Sequence, residues 1–272
     1  MKVFGLLILL VISAMLKAAA PRDEVVYHFP SPSEVMFYIK NSKLAYKPGF
    51  SNLPSNIDKY IERNKQAVNL GVYMSDFAYN SVFNETNIGL QYLTSMQSLG
   101  YKLRIDFKMG KNLATVFSNK RLTTDSLIYY ADMIFGNIMN YCDQNNQYDV
   151  FALITLGGYI ECLYLTINYV GTYSENNQLI IKIAEQKFLF DNFSRYLETI
   201  EKKIPAAYMN DVTRLKSFYA KLPIIQQKVK VTKVNGKMVV TGGTRYQLSE
   251  PLFNELKAIT TEMRAKYIGT EY

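Results

Sequence analysis

Tryptophan is missing from the 272 residues, histidine occurs once, and cysteine occurs twice, at Cys142 and Cys162. The single histidine, His28, excludes a histidine-based catalytic triad and any multi-histidine metal site. The two cysteines form no metal-spaced cluster, and neither GxSxG nor a phosphate-binding glycine loop occurs. Catalytic constellations are thus thin, with no metal ligand set or cofactor motif, and the balance leans towards a non-enzymatic role. Acids are scarce in one region. From Lys202 to Arg245 ten basic residues stand against the single acid Asp211, so this segment carries +9 while the whole chain carries +8. Basic character confined to one segment suits either contact with an anionic surface or a solvated lysine-rich face. Nucleic acid is not an expected partner.

The chain opens MKVFGLLILLVISAMLKAAA: a lysine at position 2, an apolar run from Val3 to Leu16, and small residues from Ala18 to Ala20. These are the three parts of a secretory signal peptide, which predicts export with cleavage near residues 18–20. The run is shorter than the roughly 20 apolar residues that span a bilayer. No cysteine lies at that junction, so lipidation is not supported. The expected organisation is a leader over 1–20, an N-terminal extension with a short helix over 21–56, and a helical domain over 57–272.

The helices are read from periodicity and caps. Ser31 or Ser33 is placed to cap a first short helix, and a long helical pattern runs from Ile57 through QAVNLGVYMSDFAYNSVF. Asn84 and Glu85 open the next helix, which Gly100 is expected to stop. A shorter helix is expected over about Asp106 to Phe117. Thr124 caps DSLIYYADMIFGNIMNYC, the run QNNQ makes a turn, and Tyr148 to Val170 follows as far as Gly171. Ser174 and Glu175 start a further helix that ends before Pro205. A helix near Asp211 to Lys221 and a last one from Ser249, with Pro251 in its first turn, complete the set. LGVY at 70–73 and LGGY at 156–159 match, but one tetrapeptide does not make a repeat.

The clear β signal is KVKVTKVNGKMVVTGG, where Asn235-Gly236 is a preferred two-residue type I′ turn. Reading outward from it opposes Val231 to Val240 and Lys233 to Met238. Val229, Val231, Met238 and Val240 then share one face, and an apolar face predicts packing on the helices. Lysines Lys228, Lys230, Lys233 and Lys237 make this hairpin, at about 226–242, the candidate basic surface.

Two helices hold the candidate polar residues. Glu62, Gln66, Asn69, Tyr73, Asp76 and Asn80 recur at spacings of three and four, one stripe down an otherwise apolar helix. Such a stripe is either a narrow strip in water or the wall of a polar groove. The second helix, around TLGGYIECLYLTINY, is apolar nearly all round, with Glu161 its one charge between Asp149 and Glu175. A helix of that kind is buried on every side, so Glu161 must pair with a cation from a neighbouring helix or keep its proton. Gly157 and Gly158, close before Glu161, leave its face without bulk, which permits a close helix crossing or a small cavity. If QNNQ joins an antiparallel pair, Cys142 and Cys162 lie well over roughly 10 Å apart, too far for a disulfide. Two free, buried thiols are expected.

The stretches QAVNLGVYMSDFAYNSVFN, ITLGGYIECLYL and ENNQLIIKIAEQKFLFDNF resemble an uncharacterised family of exported, mostly helical proteins of Bacteroidota, many of them lipoproteins. The resemblance covers about residues 57 to 200 and implies an all-helical fold and a cell-envelope location, with no reaction attached. The shared segments contain Gly71, Tyr73, Asp76, Tyr79, Asn84, Gly157, Gly158, Glu161 and Tyr164. The chain departs from the family in lacking a lipid-attachment cysteine and in having Tyr159 where tryptophan is expected.

The fold expected is an all-α antiparallel bundle of about eight or nine helices, Tyr148 to Val170 at its centre, with one late hairpin. The leading functional expectation is an envelope protein that binds a small ligand or protein partner through a polar spot of Tyr73, Asp76, Asn80 and Glu161. The alternatives are an interaction protein that meets an anionic surface through the basic 202–245 segment, and a hydrolase using Asp76 with Glu161 as paired carboxylates.

Overall fold

The computed structural model describes residues 29–42, 45–106, 123–234 and 237–269. The expected leader, His28, the short helix expected after Asp106 and the turn residues Asn235-Gly236 lie outside them. Within them runs α1 (Pro32–Asn41), a 3-10 turn (Pro54–Lys59), α2 (Arg63–Val82), α3 (Thr86–Leu103), α4 (Thr124–Gln144), α5 (Tyr148–Val170) and α6 (Gln178–Thr199). A second 3-10 turn (Glu201–Lys203), α7 (Ala206–Tyr219), strands β1 (Ile224–Val234) and β2 (Lys237–Tyr246), and α8 (Glu250–Ile268) follow. This is the helical bundle with a late hairpin that the sequence predicts.

The centre is α5, with the predicted ends. Asn146, in the left-handed region at φ 55°, makes the turn before it, and Gly171, at φ 76°, closes it. Its length and hydropathy would suit a membrane span, yet 94% of its apolar window is buried inside the fold. Burial by neighbouring protein accounts for that composition, because a helix enclosed on all sides has no polar face to keep. α2 crosses it closely, and α1, α4 and α8 contact both. Met36 and Ile39 of α1 belong to the same core as Leu70 and Phe77 of α2.

Several boundaries differ from the sequence reading, for local reasons. The pattern from Ile57 is broken at Tyr60, and the Gln66 amide donates to the carbonyls of Tyr60 and Ile61, satisfying the chain ahead of α2. Gly100 does not stop α3. The helix runs on to Leu103 and ends with Arg104 at φ 59°, while the Ile105 N–H reaches back to the Gly100 carbonyl in a Schellman closure. The cap of α4 is Thr123, whose hydroxyl accepts from the Ser126 N–H, and α6 begins after Asn177, whose side chain accepts from the Leu179 N–H.

The hairpin has the predicted register, Val231 opposite Val240 and Lys233 opposite Met238. It packs on the bundle at its base, where Tyr246 meets Phe188 of α6 with ring centroids 4.8 Å apart. The expected cover for the outer apolar face is missing: Val231 is 55% exposed and Met238 66%. A bulge between Gln227 and Lys230 faces Gly242 at φ 90°, and exposure is not confined to the ribbon beyond it, since Ile224 is 60% exposed as well. A Cβ at Gly242 would lie 2.3 Å from the Lys228 carbonyl oxygen, so only glycine lets the two strands approach there. Bulges bend and over-twist a ribbon. Both cysteines are free and buried, as expected, and burial pushes the Cys142 thiol up to about 12.

Candidate functional site

The matching tetrapeptides LGVY and LGGY meet at the crossing of α2 and α5. A Cβ on Gly71 would fall 1.8 Å from the Ile154 carbonyl oxygen, and one on Gly157 would fall 2.0 Å from that of Val68. The two backbones therefore touch where side chains would normally hold helices apart. Ser75 tightens the contact by donating to the Gly158 carbonyl at 2.8 Å. Of the two readings of these glycines, a close crossing is the one realised.

This crossing brings Asp76 of α2 and Glu161 of α5 together. Both are fully buried, Asp76 directly after Ser75 and Glu161 three residues after Gly158, the two residues that the serine bond joins, and the Glu161 charge acts on Asp76. The cation that Glu161 needs comes from α8: Arg264 Nε donates to Glu161 Oε2 at 2.7 Å. The same guanidinium donates to the Phe50 carbonyl at 2.9 Å and lies over the Tyr164 ring, 4.1 Å from its centroid. Asp76 Oδ2 accepts from the Asn52 N–H at 3.1 Å. Burial pushes the Asp76 carboxyl well above the usual carboxylate range, the neighbouring Glu161 charge adds to this, and Arg264 opposes it.

From Asn69 to Asn80 the polar stripe of α2 is neither a strip in water nor an open groove, while Glu62 at its start is exposed and Gln66 partly so. Its lower part is roofed by the segment before α2: Tyr73 donates to the Leu53 carbonyl at 3.1 Å, and Asn80 accepts from the Tyr46 hydroxyl at 2.7 Å while donating to the Asp76 carbonyl. The roof is itself held by Tyr92 of α3, which donates to the Asn52 carbonyl at 2.8 Å, and by Tyr60, which accepts from the Asn52 amide. The upper part is covered by the end of α8, where Asn69 donates to the Tyr267 carbonyl and the Lys65 amine donates to those of Lys266 and Gly269. All four residues of the expected polar spot, Tyr73, Asp76, Asn80 and Glu161, have no exposed surface. A substrate reaches either carboxylate only by displacing the 50–60 segment or α8.

Among the described residues no cluster of three potential ligands could hold a metal ion. A cavity of about 710 Å³ lies elsewhere, at the end of α3, between Tyr101, Lys102 and Arg104 and Tyr141 of α4. It shares no residue with the acid pair. Lys228 and Lys233 are exposed on the hairpin; the side chains of Lys230 and Lys237 lie outside the description.

Arg264, Asn52, Tyr60 and Tyr92 complete the site and were not singled out from the sequence. Arg264 did leave a signal. Leu256, Thr260 and Arg264 repeat every four residues alongside Ile259, Met263 and Tyr267, which places an arginine on the buried stripe of α8. Asn52 left none, because it acts mainly through its backbone. Comparison with family models, curated proteins and solved structures gives no match to this chain, so the reading of function rests on its own geometry.

Proposed function

We propose that this is an exported, non-enzymatic binding protein of the cell envelope whose recognition element is the hairpin and whose partner is an anionic surface. The observation that carries the reading is a basic ribbon with bare apolar side chains. Val229, Val231 and Met238 are each more than half exposed on it, beside exposed Lys228 and Lys233. No Asp or Glu occurs from 212 to 249 to neutralise the lysines. Apolar side chains projecting among cations suit the boundary of an anionic bilayer, where headgroups meet the amines and the apolar tips leave water. The signal-like leader supports an envelope location.

Co-sedimentation with vesicles of phosphatidylglycerol and phosphatidylcholine tests the reading. Binding should rise with the anionic fraction and weaken with salt. Charge reversal at Lys228 and Lys233 should weaken it by about 1 kcal/mol or more per residue, and Val231→Asp with Met238→Asp should also reduce it. Equal binding to purely zwitterionic vesicles, or none to either, would reject it. A small ligand at the polar spot finds less support, since Tyr73, Asp76, Asn80 and Glu161 present no surface to solvent.

A further inference from the structure

The acid pair contains a hydrogen-bonding gap. Of its four carboxyl oxygens, Asp76 Oδ2 accepts from Asn52 and Glu161 Oε2 accepts from Arg264, but Asp76 Oδ1 and Glu161 Oε1 have no donor among the described residues. Both oxygens are buried. Two ionised carboxylates so placed would repel each other in a medium that screens poorly, with two acceptors left without a donor. The titratable groups that face them are Tyr46, Tyr60 and Tyr73, Tyr92 from α3, and Arg264 from α8. The tyrosine hydroxyls bond elsewhere: Tyr46 donates to Asn80, Tyr73 to the Leu53 carbonyl and Tyr92 to the Asn52 carbonyl, while Tyr60 accepts from the Asn52 amide. Arg264 is the one cation among these five groups, and its single charge balances a single carboxylate.

We propose that Asp76 and Glu161 bind one proton between Oδ1 and Oε1 at neutral pH, making the buried Asp76–Glu161–Arg264 centre electrically neutral. The proton supplies the missing donor and removes the surplus charge in one step. It resides on Asp76, because Glu161 is held as the carboxylate partner of Arg264. The centre is thereby a proton-binding site that couples pH to three pieces of the fold. Asp76 holds the Asn52 backbone, Arg264 holds the Phe50 carbonyl, and Arg264 ties α8 to α5. When alkali removes the proton, the uncompensated charge weakens the 50–60 roof and the seating of α8.

The sign follows from linkage. The folded state holds a proton that the unfolded chain has already lost above the ordinary carboxylate range, so stability falls as pH rises from there to the raised value of the pair. A difference of one proton is about a tenfold change in the folding equilibrium per pH unit. Urea unfolding of the full chain from pH 5 to 9 should show that slope in wild type relative to Asp76→Asn. The asparagine amide can donate to Glu161 at every pH, so this variant should fold and lose the slope. Glu161→Gln should instead be strongly destabilised at every pH, because it strands Arg264. Infrared spectra of the wild-type protein at neutral pH should contain a protonated-carboxyl carbonyl band. Parallel pH curves for wild type and Asp76→Asn would overturn the proposal. So would absence of the infrared band, which is decisive even if Asp76→Asn fails to fold, or replacement of the slope by a dependence on sodium concentration.

Discussion

Gly71 and Gly157 operate at the scale of single atoms, where a methyl group has nowhere to go. Gly71→Ala places carbon 1.8 Å from a backbone oxygen, and backbone cannot swing aside as a flexible side chain can. The expected cost is about 3 kcal/mol or more, above the usual range for overpacking because the obstacle is main chain. Urea denaturation should register it as a lower midpoint. Gly136→Ala, at a helix position with open space around it, should be neutral or slightly stabilising and serves as the control. The glycines were visible in the sequence as two small residues ahead of Glu161, and the need of that acid for a cation followed from its apolar surroundings. The identity of the cation did not. Arg264 lies 103 residues away, and nothing local distinguishes it from the other basic residues except its place on a buried stripe.

Among the elements, α8 is fastened by side chains from elsewhere as well as by its own packing. Lys65 of α2 is nearly fully buried and spends its amine on the carbonyls that end α8. Those carbonyls have no partner within the helix, so Lys65 acts as a cap delivered in trans. Lys65→Ala should leave the rest of the bundle folded while amide exchange across residues 265–269 becomes faster, which hydrogen-exchange mass spectrometry can resolve. Element boundaries were legible where a residue forces them: Gly171 ends α5, Ser249 and Pro251 begin α8, and the strand register is the one counted outward from the Asn-Gly pair. They were illegible where a distant or non-sequential bond decides. The break at Tyr60 depends on Gln66, the extension of α3 past Gly100 on Arg104 accepting a left-handed conformation, and the bulge opposite Gly242 is one that alternation does not reveal.

For the whole molecule, two segments far apart in sequence, residues 46–60 and α8, meet on α2. The segment before α2 and the helix that finishes the fold both lie over its polar stripe, and Arg264 bonds to each of α5 and Phe50. A protein truncated after Ser249 loses that arginine and leaves two acids and the stripe uncovered. Such a chain should fail to unfold as one cooperative unit, seen as loss of a sharp calorimetric transition, because buried charge without a partner costs about 3–5 kcal/mol. The hairpin is the opposite case. It adds charge and exposed apolar surface but joins the bundle at its base alone, so replacing residues 229–239 by a short turn should leave the melting temperature unchanged. The all-helical plan with a buried central helix was legible at this scale because composition alone demands it. That the polar stripe would be roofed rather than wet was not, since the roof is irregular chain without periodicity.

The bare contact between α2 and α5 has one more effect. Where two main chains lie against each other, a slip by one helical turn would drive Val68 or Ile154 into the gap that only glycine can occupy. The crossing works as a detent with a single notch. The placement of the two acids, the reach of the arginine and the seating of α8 and the 50–60 segment are all indexed to that one position.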